Sequence, residues 1–120
     1  MAFFMLSICS TPQKKLNLAS EQNGQEFEIS IQADIKISLK SNPTTGYTWT
    51  IQSNDSAIIR QVGKPSFKAE SKKLGSSGIQ TFNFKSIASG KTKLKLIYHR
   101  PWEKETAPLD SYLVVFNIKE

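Results

Sequence analysis

From Glu26 onward, apolar side chains fall on every second residue rather than at helical spacing. Phe27, Ile29 and Ile31 alternate with Glu26, Glu28 and Ser30, and Ile35, Ile37 and Leu39 alternate with Lys36, Ser38 and Lys40. A period of two marks a strand with one buried face, so these runs predict two half-buried strands, A and B, with a turn at Ala33-Asp34. The same reading places strand C over 47–52, E over 79–87, F over 93–99 and G over 112–118, with a shorter strand D inside 58–67. Turn signals separate them at 42–46, 53–56, 72–78, 89–90 and 100–108. No segment has the spacing of an amphipathic helix. About seven short strands of this kind predict an all-β fold, an immunoglobulin-like antiparallel β-sandwich, with a barrel as the structural alternative.

Composition narrows the class. The chain has 120 residues, 38% of them hydrophobic and 22% charged, which suits one domain over 13–120 with a real core. No apolar run approaches the roughly 18 residues of a membrane-spanning helix, so no membrane span is expected. One cysteine, Cys9, and one histidine, His99, leave no intrachain disulfide and no ordinary zinc ligand set, and neither a metal nor a cofactor is expected. The uncharged start 2–9, followed by Ser10-Thr11-Pro12, reads either as a short secretory signal or as an apolar or disordered leader, which sets 1–12 apart. The first reading implies a secretory or lysosomal protein, the second a cytoplasmic one. A glycosylation sequon stands at Asn54-Asp55-Ser56.

The formal charge of +6, from 16 basic and 10 acidic residues, does not point to nucleic acid. The lysines are dispersed in singles and pairs, and Trp102 stands between Arg100 and Glu103 rather than within a basic cluster. Lysines on solvent-facing strand positions account for the charge; attraction to an acidic protein partner is the functional alternative.

Unusual residues gather in three connections. In the B–C loop, Pro43 fixes its own φ, biases Asn42 toward extended backbone, and is followed by the uncharged Thr44 and Thr45 and by Gly46, which permits positive φ. Such a stiff, neutral loop can enter a cleft with little loss of entropy and no charge to desolvate. The D–E loop carries Gly75, Ser76, Ser77 and Gly78, whose small side chains leave the backbone open to a partner. The F–G loop presents Arg100, Pro101 and Trp102, residue types that suit a binding hot spot. Taken singly, each is also compatible with an ordinary turn. In an up-and-down succession of antiparallel strands, however, all three fall at one end and the sequon at the other. Catalysis finds no support, because neither Cys9 nor His99 has a partner and the carboxylates form no pair.

Asn42-Pro43-Thr44-Thr45-Gly46-Tyr47-Thr48-Trp49, then Gly75-Ser76-Ser77-Gly78-Ile79-Gln80-Thr81-Phe82, then Arg100-Pro101-Trp102-Glu103, in this order and spacing, resemble the chagasin family of cysteine protease inhibitors. The resemblance spans 20–120. It implies a reversible, tight-binding inhibitor of papain-like, cathepsin L-like cysteine proteases that acts as a monomer. It further implies that Thr44, Thr45 and Gly46 sit nearest the protease thiolate and that Gly75 to Gly78 lie along the substrate groove. Arg100 and Trp102 would then pack beside the catalytic histidine. Ser77 and Ile79 depart from the family's usual glycine and threonine. The second reading is an immunoglobulin-like adhesion or ligand-binding module without a protease partner.

Overall fold

The computed structural model describes residues 13–70, 77–103 and 105–120. Residues 1–12, set apart above and including Cys9, and Gly75 and Ser76 of the D–E loop, lie outside the described residues. Eight strands follow in chain order: β1 Gln13–Leu18, β2 Glu26–Ser41, β3 Thr48–Asn54, β4 Ile59–Gln61, β5 Ser66–Ala69, β6 Gly78–Ser86, β7 Gly90–His99 and β8 Asp110–Lys119. Two single 3₁₀ turns, Ser20–Gln22 and Pro43–Thr45, are the only helical pieces among the described residues.

The all-β expectation holds, with three changes to the strand list. Strands A and B are one strand, β2. The period of two runs unbroken through Phe27, Ile29, Ile31, Ala33, Ile35, Ile37 and Leu39, so no residues are available for a reversal at Ala33-Asp34. Instead the strand kinks at Gln32, whose φ is 70°. Before the kink, Glu26 to Ser30 pair in parallel with β8; after it, Asp34 to Ser41 pair antiparallel with β6. The hydroxyl of Ser86 spans the break, accepting from the Ala33 N–H at 2.9 Å and donating to the Ser30 carbonyl at 2.7 Å. Backbone groups that lose their ladder partners at the kink are thereby satisfied. Strand D is two short strands, β4 and β5, both paired with β6 and separated by Gly63, at φ 70°, and Pro65. The third change is β1, which pairs in parallel with β2 through Leu16 opposite Ile35 and Leu18 opposite Ile37.

The strand path β3-β7-β8-β2-β6-β4, with β1 on β2 and β5 on β6, folds over at the β2 kink into two layers. Between them lie Ile29, Ile35, Ile37, Leu39, Phe82, Phe84, Leu94, Leu96, Tyr112, Val114 and Phe116, all fully buried. Burying each such side chain contributes about 1.5–3 kcal/mol. The alternate positions face water and carry much of the basic charge, with Lys36, Lys40, Lys91 and Lys93 exposed.

Register places the three unusual loops. Ser41 pairs with Gly78, which joins the first stem of the B–C loop to the last residues of the D–E loop. Thr48 pairs with His99, which joins the second stem of the B–C loop to the first residue of the F–G loop. The three loops therefore share one end of the sandwich. Asn54, five residues further along β7 opposite Leu94, lies away from them.

Candidate functional site

The B–C loop is a single turn fastened from within. Asn42 is extended at φ −128°, and its Oδ1 accepts from the Thr44 N–H at 3.3 Å and from the Thr44 hydroxyl at 2.6 Å. The Thr45 hydroxyl donates to the Asn42 carbonyl at 2.7 Å, and the Gly46 N–H donates to the Pro43 carbonyl at 3.0 Å. Gly46 closes the turn at φ 87°, a conformation that favours glycine. Pro43, Thr44 and Thr45 are exposed, yet both threonine hydroxyls and both threonine N–H groups are already engaged within the loop. The result is the stiff, uncharged projection that the sequence predicts.

The F–G loop braces this projection. Arg100 Nε donates to the Thr45 carbonyl at 3.0 Å, and the guanidinium lies 4.6 Å from the centre of the Tyr47 ring. Glu103 holds the other side of Arg100 through an Nη1 contact of 3.4 Å. The Trp102 indole, 67% exposed, rests over Gly46 so closely that a Cβ there would run into the ring. Beneath both loops stands a column of aromatics: Tyr47 stacks on Tyr98 at 5.4 Å, and Tyr98 meets Trp49 at 5.1 Å. The column is tied to the backbone at two of its three rings. The Asn42 N–H donates to the Tyr98 hydroxyl at 2.9 Å, and Trp49 Nε1 donates to the Lys40 carbonyl at 2.9 Å.

The alternation of strand F sets Tyr98 with Leu94 and Leu96 on the apolar side but does not mark it as the residue that supports the loops. Its distinguishing mark is the hydroxyl, which needs a partner at the edge of the core.

Of the D–E loop, the stems are described. Glu70 and Ser77 close it: the Glu70 N–H donates to the Ser77 carbonyl at 3.0 Å, and the Ser77 hydroxyl donates to Glu70 Oε1 at 3.0 Å. Gly78 is wedged between β2 and β5, where a Cβ would meet the Lys68 carbonyl and the Phe67 ring. Arg100, Pro101 and Trp102 thus stand beside Asn42, Pro43, Thr44, Thr45 and Gly46, and the D–E stem with Ser77 and Gly78 reaches the same end through Ser41.

His99 Nε2 lies 2.8 Å from the Thr50 hydroxyl, and no group of three or more His, Cys, Asp or Glu among the described residues could hold a metal ion.

The pattern of the Chagasin family peptidase inhibitor I42 matches residues 24–116, which include all three loops. The chain belongs to the chagasin family. It is a cysteine protease inhibitor, not an enzyme. It is 35% identical over 112 residues to Amoebiasin-2 of Entamoeba histolytica, covering 91% of this chain and 89% of that protein. With Chagasin of Trypanosoma cruzi it shares 33% identity over 85 residues, 67% of this chain and 76% of that protein. The crystal structure of the cysteine protease inhibitor EhICP2 from Entamoeba histolytica matches this fold with a TM-score of 0.80 at 32% identity, over 91% of this chain and all of that one. The match sets aside the adhesion-module reading.

Proposed function

We propose that this inhibitor blocks papain-like cysteine proteases, cathepsin L-like enzymes among them, by seating the B–C loop over the catalytic cysteine with the D–E and F–G loops on either side. The observation that carries this reading is the internal fastening of Pro43–Thr45 together with Gly46 and Arg100. A loop already held in one shape loses little conformational entropy on binding. Thr44, Thr45 and Gly46 bring no charge to desolvate beside the thiolate. A protease cleaves peptides held extended in its groove; a 3₁₀ turn ending in a left-handed glycine does not offer its carbonyls in that form, so the wedge occludes the nucleophile without being a substrate. Trp102, Arg100 and Pro101 pack against the protease on one side, and Gly75, Ser76, Ser77 and Gly78 run along the groove on the other through main-chain contacts. The inhibitor acts as a monomer, reversibly and without a covalent bond.

The test is a titration of papain and a cathepsin L-like enzyme with the purified protein. Inhibition with a Ki in the nanomolar range, about 12 kcal/mol of binding free energy, is the expected result. Full peptidase activity at ~10 μM inhibitor would sink the reading.

A further inference from the structure

Gln80 lies in β6, where its ladder neighbours are Leu39 of β2 and Phe67 of β5. Its side chain, however, crosses to the other layer. Oε1 accepts from the Trp49 N–H at 3.1 Å and from the Thr48 hydroxyl at 3.3 Å, and Nε2 donates to the Trp49 carbonyl at 2.9 Å. The strand that receives these bonds, β3, is the edge of its layer and pairs only with β7. In an antiparallel ladder the N–H and C=O of one residue point to the same side, so those of Trp49 face away from β7. They do so where water is scarce, since Trp49 is 6% and Gln80 9% exposed. A carboxamide carries the same donor and acceptor as a peptide group and completes Trp49 as a neighbouring strand would. The types of its partners allow only one orientation of the amide.

The position of this bridge matters more than its strength. The first stem of the B–C loop is tied to the D–E loop by the Ser41 to Gly78 pairing. The second stem, β3, has no ladder to β6: within the sheet the route runs through β7, β8 and β2. Gln80 closes that gap, close in sequence to Gly78 on one side while Trp49 follows closely on Gly46 on the other. We propose that Gln80 is a positioning residue for protease inhibition, fixing the second stem of the B–C loop against the D–E loop so that both meet the cleft in register. The proposal rests on the three-loop reading above and assigns the residue no contact with the protease.

The test compares Gln80→Met, which keeps the length and removes all three bonds, with Gln80→Glu, which keeps the acceptors and loses the donor to Trp49. Ile118→Val, in the core at the far end beside Gly90, is the control. Ki against papain, thermal midpoint and the amide shifts of Gly46 and Ser77 are measured for each, at a temperature where all are folded. Expected is a Ki raised about tenfold or more for Gln80→Met, with a smaller rise for Gln80→Glu. The Gly46 and Ser77 amides shift in both, while Ile118→Val loses stability without changing Ki or those amides. A wild-type Ki for Gln80→Met, or a rise equal to that of the control, overturns the assignment; if Gln80→Met does not fold, Gln80→Glu decides by the same comparison. Failure of the unaltered protein to inhibit papain would instead overturn the three-loop reading, and unmoved Gly46 and Ser77 amides would still overturn the bridge on their own.

Discussion

The indole of Trp102 occupies the space that a side chain at position 46 would need. Gly46 is thus constrained twice, by a φ of 87° and by the ring above it. Gly46→Ala is expected to strain the turn by about 1–3 kcal/mol and to displace Trp102. Inhibition of papain falls about a hundredfold or more, a larger loss than the drop in thermal stability alone explains. Parallel measurement of Ki and thermal midpoint checks this; a variant with the wild-type Ki would show that the Trp102–Gly46 contact is dispensable.

Arg100 serves the neighbouring loop as well as any partner. Lysine at this position keeps the charge but lacks the planar fork that reaches the Thr45 carbonyl while covering Tyr47. Arg100→Lys is expected to weaken inhibition about tenfold. Folding stability changes by about 1 kcal/mol or less, because the side chain is partly solvated. Inhibition kinetics set beside denaturant titration would distinguish the two effects.

Tyr112 gives the fold a limit in alkali. Burial, and secondarily the negative charge of Glu21, push its phenol up to about 12 from an ordinary 10. The hydroxyl donates to the Ala19 carbonyl at 2.7 Å. Because the folded value is the higher one, the stabilisation is fully present below pH 10 and is lost as pH rises through about 12. The loss amounts to about 3 kcal/mol. Denaturant midpoints between pH 9 and about 12 should fall accordingly, and Tyr112→Phe should flatten this dependence at a cost of about 1 kcal/mol at neutral pH.

At the kink of β2, Ser86→Ala removes a hydroxyl that serves both the Ala33 N–H and the Ser30 carbonyl. Ser86 and Ala33 are fully buried, so the orphaned N–H finds no water. Destabilisation of about 2 kcal/mol or more is expected. Inhibition by the folded fraction is unchanged, since the kink lies outside the loop-bearing end. Chemical denaturation and a papain titration at low temperature would check both halves.

Much of the framework was legible in local pattern. The alternation over β2, β3, β6, β7 and β8 needs only the geometry of a pleated strand with one dry face. Local pattern failed where pairing depends on distant partners. Leu16 and Leu18 are too short a run to announce β1, which becomes a strand because β2 offers it an edge. Ala33-Asp34 resembles a turn in isolation and becomes a kink because β8 takes one half of the strand and β6 the other.

The loops divide the same way. Asn42, Pro43 and Gly46 specify their turn by themselves, because a fixed φ, an Asx-type acceptor and a residue tolerant of positive φ act over neighbouring positions. Three loops of unusual composition, and the lack of any thiol and of a second histidine within 13–120, were likewise properties of the sequence alone. Only the tertiary structure decided that Arg100 reaches Thr45, that Trp102 covers Gly46, that Tyr98 carries both loops and that Gln80 bridges to Trp49. Each of these contacts joins residues 31 to 56 positions apart. Side chains so far apart meet only through strand register, which is set by the whole buried face rather than by any short stretch of chain.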